Sequence, residues 1–299
     1  MESYIEVGLD EKILKQFGYE FREKQYKKFD GRTIDDYKPI FKDGVEVTSI
    51  DIPATYKYES KKYKITSIGR GIFLSCEVLE NITIPNTVTA IGENAFSFCQ
   101  SLEKIDIPNS VLKIEEHAFS YCDKLKSVIL PDKLTEISWG LLGDCNSLKN
   151  LIIPNSVKLI DNCAFIGCSS LLEIIIPDGV KSIGDNVFSS CCSLQKIDIP
   201  NSVTEIGEGA FKNCTNLKSV KLPDNLTKIP KEMFCNCKSL ENITIPDTVT
   251  EIGENAFAGC ISLKDVDIPK TVNKIGIGAF DNCNFSKEIN WSFTSRMFI

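Results

Sequence analysis

The chain has 299 residues, 42% hydrophobic and 25% charged, the profile of a globular, core-forming protein and not of a disordered or collagen-like one. Its formal charge is −7, and because residues 1–64 hold 13 basic and 13 acidic side chains, the acidic excess lies in residues 65–299, the wrong sign for a nucleic-acid binder. A single histidine excludes any constellation needing several imidazoles in one chain, and thirteen cysteines leave disulfides, metal or core packing to be decided by spacing.

Met1 to Asp30 is charged throughout and lacks a seven-residue apolar core, so no secretory signal is expected. Apolar runs such as Leu151-Ile152-Ile153 stop at proline and charge long before the ~20 residues of a membrane span. Within residues 1–50, Leu9, Ile13, Leu14 and Phe17 have helical spacing, and Phe21, Tyr26 and Phe29 follow in a charged run. This segment is read as an N-terminal cap, with a small separate domain as the other reading. Residues 51–75 carry alternating tyrosines, and the stretch from Pro53 to Phe73 is longer by nine than its counterpart from Pro85 to Phe96. The extra length is expected to form a β-hairpin covering a first coil.

From there a repeat takes over. Prolines stand at 85, 108, 131, 154, 177, 200, 223, 246 and 269, a constant step of 23. Cys76, Cys99, Cys122, Cys145, Cys168, Cys191, Cys214, Cys237, Cys260 and Cys283 follow the same lattice. One unit reads Ala95-Phe96-x-x-Cys99-x-x-Leu102-x-x-Ile105-x-Ile107-Pro108-x-x-Val111-x-x-Ile114. Ile105 and Ile107 alternate with Lys104 and Asp106, the period of a half-buried strand, and Pro108, lacking an N–H, ends it. Asn109-Ser110 turns the chain, Val111 and Ile114 return apolar groups inward, and Gly-x-x-Ala-Phe is expected to form about one helical turn. No coil buries its apolar side alone, so coils stack with strands in parallel. Ten coils at ~4.8 Å make a rod roughly 50 Å long. The expected fold is thus an α/β repeat solenoid, a right-handed coil of leucine-rich-repeat type, with a parallel β-sheet on one face and short turns or helical turns on the other. The 23-residue repeats run over 76–285, and residues 286–299, where Trp291 takes an apolar strand position, read as a C-terminal cap.

The chemistry is mostly packing. Cysteines on an exact lattice stand above one another with parallel side chains and equivalent neighbours, so no disulfide pairing is preferred and buried free thiols are expected. Zinc needs converging ligands, and neither C-x-x-C pairs nor further histidines supply them, so no metal and no cofactor is expected. Cys163, Cys192 and Cys235 are off the lattice and read as the more exposed thiols. His117 sits where other units have Asn94, Gly209 or Asn255 and reads as a solvated surface residue. Without a base beside a nucleophile no catalytic residue is assigned. Six N-x-S/T sequons (Asn81, Asn213, Asn225, Asn242, Asn284, Asn290) belong to the repeat consensus.

What remains is surface. The outward strand positions form two columns, and where one of them elsewhere carries Thr83, Asp106, Asp198 or Lys221, three consecutive units carry Ile129, Ile152 and Ile175. These three, flanked by Ser127, Asn150 and Glu173, form a candidate protein-binding stripe about 10 Å long; simple β-propensity is the other reading. Nearby, Ser138-Trp139-Gly140-Leu141-Leu142 replaces the usual corner, and an outward Trp139 is expected to extend the same sticky region, local repacking being the alternative.

The unit resembles the BspA-type leucine-rich repeat, close to LxxIxIPxSVxxIGxxAFxxC, over about residues 50–285, and residues 52–69 look like that family's opening unit. The resemblance implies a protein-binding surface protein that engages host matrix proteins or partner cells. The missing signal and the thiols read as reduced favour an intracellular adaptor instead. A substrate-docking arm of an enzyme is the third reading. Expected partners are proteins, without nucleic acid or a membrane-spanning segment, and a monomer is expected.

Overall fold

The computed structural model describes residues 5–21, 28–29, 32–33, 40–43 and 45–285; the expected closing cap, 286–299 with Trp291, lies outside them. Each coil is built from two short strands and a run of tight turns. In the unit used above, Lys104–Asp106 is the first strand, with Ile105 buried between exposed Lys104 and Asp106. After Pro108 the chain turns, Val111 N–H donating to Pro108 O at 2.9 Å, and Lys113–Ile114 forms a second strand with Ile114 buried. Where they pair, both strand types do so in parallel and in register between adjacent coils, Lys104 with Ser127 and Ala90 with Lys113, although the first strands fall into separate groups, with no pairing between Ser127–Ile129 and Asn150–Ile152 or between Glu173–Ile175 and Lys196–Asp198. The solenoid therefore carries two parallel sheets on different sides, not one.

The expected helical turn at Gly-x-x-Ala-Phe is absent. Asn94 and Phe98 both adopt left-handed φ (54° and 61°), which breaks any helix. The corner becomes consecutive turns in which alternate amides bond within and between coils. Ala95, Ser97 and Cys99 N–H donate to Gly92, Asn94 and Phe96 O, while Asn94, Phe96 and Phe98 N–H donate to Glu116, Ala118 and Ser120 O in the next coil. The same three inter-coil bonds recur at every step from Gly71 to Asp281, so the turns form an unbroken ladder.

The second sheet, by contrast, is interrupted twice. In a regular coil the residue after the strand, such as Gly184 or Gly207, donates its N–H to the preceding isoleucine carbonyl, Ile160 or Ile183, at 2.8 Å. At Ser138 it is the side-chain hydroxyl that reaches Ile114 O. Pro230 has no N–H to offer Ile206 O, and Glu205–Ile206 and Lys228–Ile229 fall in separate sheets. A cavity of about 340 Å³ opens there, lined among others by Ile206, Gly207, Pro230 and Glu254.

Residues 5–21 lie against the first coil. Ile5–Leu9 pairs in parallel with Lys61–Ile68, extending the second sheet, and Thr55–Tyr58 pairs with the same strand antiparallel as a hairpin. The helix Glu11–Gln16 follows from its ends: Asp10 Oδ1 accepts the Ile13 N–H at 2.8 Å, Glu11 and Lys15 suit the dipole, and Gly18 (φ 80°) stops it. Its Ile13 and Leu14 are buried, and Phe17 meets Tyr56 edge-on.

Inside, like residues stack on like. Phe96 lies between Phe73 and Phe119 at 5.1 and 5.2 Å, and a second stack runs through Phe165, Phe188, Phe211, Phe234, Phe257 and Phe280. Leu142 separates the two, and its neighbour Leu141 stands where most coils have alanine.

Candidate functional site

The first sheet positions the outward columns. Because Val128, Leu151 and Ile174 point into the core, the residues on either side of each are driven outward. Ile152 pairs with Ile175 and Asn150 with Glu173; Ile129 pairs with Asp106 one coil earlier. The three isoleucines are exposed by 61%, 84% and 72% in chain order, so the column is a true surface feature. Ser127, Asn150 and Glu173 run beside it, all exposed. Both ends are closed by the same polar strand, Lys104-Ile105-Asp106 below and Lys196-Ile197-Asp198 above, the latter carrying a Lys196–Asp198 ion pair of 3.1 Å.

Trp139 does not continue this stripe. It follows the second strand, at the start of the turns, and packs against the His117 ring with centroids 5.1 Å apart. The expectation for His117 is corrected as well, because it is half-buried and not simply solvated. Its φ of 54° places it in the left-handed column shared with Asn94 and Asn186, a conformation His and Asn tolerate better than most. Nδ1 lies 3.1 Å from Ser120 Oγ, whose own proton goes to Gly140 O. Nδ1 must therefore be the donor, and the buried Ser120 hydroxyl is a structural strut between coils. Gly140 allows this, since a side chain there would collide with the imidazole.

The lattice thiols stand in one file. Nine of the ten are buried and Cys283 is half-buried. Each thiol from Cys99 onward reaches the carbonyl of the phenylalanine or leucine 26 residues earlier, at 3.0–3.3 Å, as Cys122 Sγ does to Phe96 O. Burial holds Cys76, Cys122 and Cys168 up at about 12, and Cys99, Cys145, Cys191 and Cys237 well above the ordinary thiol value. Off the lattice, Cys163, Cys192 and Cys235 are half-buried, and burial pushes Cys163 and Cys235 up too.

A recess that sequence reasoning missed lies beside the first coil. Its volume is about 760 Å³, and Phe17, Tyr19, Lys42, Val45 and Asp51 line it. Lys42 Nζ sits 5.2 Å from the Tyr19 ring centre, and burial, then Asp51, raises the Tyr19 phenol. No repeat spacing marks these residues, so nothing in the lattice pointed to them.

Stacked coils, each adding the same inward framework of leucine, isoleucine and cysteine, define a leucine-rich-repeat solenoid. The profile of the BspA type leucine rich repeat region, in 6 copies, matches residues 33–172, 141–250 and 227–295, and the chain belongs to that family. Among solved structures, a leucine-rich repeat protein of T. pallidum is 27% identical, with a TM-score of 0.52 over 65% of this chain and 88% of its own. One from Eubacterium ventriosum is 21% identical, with a TM-score of 0.55 over 84% of this chain and 81% of its own. One from Bacteroides ovatus is 24% identical, with a TM-score of 0.48 over 94% of this chain and 98% of its own. No curated protein matches the chain. No helix among the described residues is long and apolar enough to cross a membrane.

Proposed function

We propose that this protein is a non-enzymatic protein-binding scaffold whose first-sheet face takes the partner at Ile129, Ile152 and Ile175. The observation that carries the reading is the run of three outward isoleucines in consecutive coils, bounded by polar residues at the same position in the coils on either side. Burying such side chains stabilises a complex by about 1.5–3 kcal/mol each, enough to anchor an interface if polar groups rim it. Ser127, Asn150 and Glu173 provide that rim. Membership of a repeat-scaffold family supports the same reading.

A benzophenone side chain placed at 152, and at 221 in the polar part of the same column, tests it in cells expressing the protein. A discrete protein adduct at 152, absent at 221 and lost when Ile129 and Ile175 become threonine, is expected. Equal adducts at both positions, or none at 152, overturn the site. A cell-surface adhesin-like role rests on the family, and an intracellular adaptor role on the unpaired thiols. Protease shaving of intact cells separates the two: loss of the protein supports surface display, and survival until lysis supports the adaptor.

A further inference from the structure

A second surface lies on the turn side, away from the isoleucines. The column that begins each run of turns reads Glu93, Glu116, Trp139, Asn162, Asp185, Glu208, an acidic ridge with one indole at its centre. Trp139 is 44% exposed, although the His117 ring of the preceding coil packs against it with centroids 5.1 Å apart. An aromatic ring both exposed and fixed loses little freedom on binding, which is what makes tryptophan a strong anchor. Its neighbours set the charge of what fits. Glu116 is one coil below and exposed; Asp185 is two coils above and exposed. Neither is in an ion pair among the described residues, whereas toward the first coil Arg70 pairs with Glu93 at 3.1 Å and Lys113 with Glu115 at 3.0 Å. The ridge therefore presents uncompensated negative charge on both sides of an indole.

We infer that this ridge binds an extended basic segment of a partner protein, with an arginine on Trp139 held by Glu116 and a second basic residue three positions along reaching Asp185. The planar guanidinium suits both an indole face and a carboxylate. The spacing follows from the coils: two steps of about 4.8 Å separate Trp139 from Asp185, and three residues of extended chain span about 10 Å. A second copy of this chain fits less well, because the repeat region carries the acidic excess. This surface is independent of the isoleucine stripe, and either can fail without the other.

The test uses the full chain and a fluorescein-labelled peptide Gly-Arg-Ala-Ala-Arg-Gly, read by anisotropy at low and physiological salt. Trp139→Leu is a conservative probe, since Ile277 occupies the same column, and thermal melts of each variant confirm folding. Affinity is expected to fall tenfold or more in Trp139→Leu and at least fivefold in a Glu116→Gln, Asp185→Asn double variant, with the isoleucine variants unaffected. Folded variants that bind as the parent does overturn the site. So does a Lys-for-Arg peptide whose binding ignores Trp139. Self-association of the parent that Trp139→Leu abolishes assigns the ridge to a second copy and also overturns it.

Discussion

Asn201 and Asp224 grip each other across adjacent coils: the Asn201 Nδ2 donates to Asp224 Oδ2 and its Oδ1 accepts the Asp224 N–H, both at 2.9 Å. Asn109 and Asp132 make the same pair earlier in the same column of turns, both bonds 3.0 Å. Asn201→Asp keeps the shape but replaces a donor by a second carboxylate. It should cost on the order of 0.5–1 kcal/mol at low salt, as exposed like charges do, and less in high salt, which screens them. Melting temperatures of parent and variant at the two salt concentrations check it; an equal deficit at both would show that charge is not the cause.

The lattice thiols make stability fail at high pH. An unfolded thiol ionises near 8.5, whereas burial keeps Cys76, Cys122 and Cys168 neutral up to about 12. Neutral thiols therefore contribute fully below pH ~8.5, and each loses about 1.4 kcal/mol per pH unit as pH rises toward 12. Several acting together should give a steep alkaline unfolding that Cys122→Ala plus Cys168→Ala moves to higher pH. An unmoved midpoint in that variant refutes the account.

Thiol labelling at neutral pH should follow the same division. Cys163, Cys192 and Cys235, with half-buried Cys283, are expected to react in native buffer, and all thirteen after denaturation. Mass spectrometry after brief alkylation reads the sites directly; modification of Cys122 or Cys168 at the rate of Cys192 would contradict the packing.

The break in the phenylalanine stack yields a coupled pair. Leu142→Phe alone should overpack the coil, at about 1–3 kcal/mol, because Leu141 already fills space that Ala118 and Ala164 leave in the neighbouring coils. Leu141→Ala alone leaves a cavity worth ~2–5 kcal/mol. Together they rejoin Phe119 to Phe165, and the double variant should lose far less than the sum of the two. Chemical denaturation of the three variants measures the coupling; simple additivity would mean the two leucines do not share that space.

How much of this is readable in the chain depends on periodicity. Lys104–Asp106 announces its strand because the alternation returns in register in every unit, and the same register makes the Ile129, Ile152 and Ile175 column legible. Lys113–Ile114 escapes notice as a strand because two residues cannot show alternation. The turn ladder reads as helical because its decisive residues, Asn94, His117, Gly140 and Cys163, share a backbone conformation and no chemistry. Trp139 is misplaced for a related reason: the lattice fixes which coil a residue belongs to, but not which side a non-periodic corner faces.

The unequal continuity of the three ladders gives the rod a preferred way to bend. With turns bonded at every step and the second sheet open between Ile206 and Pro230, the turn side acts as a spine and that gap as the leaf edge of a book. Because Lys196 and Ile197 still pair with Ser219 and Val220 in the first sheet across the same step, the bend that strains no hydrogen bond is one that opens only the second-sheet side, changing the curvature offered to a long partner while every coil stays folded.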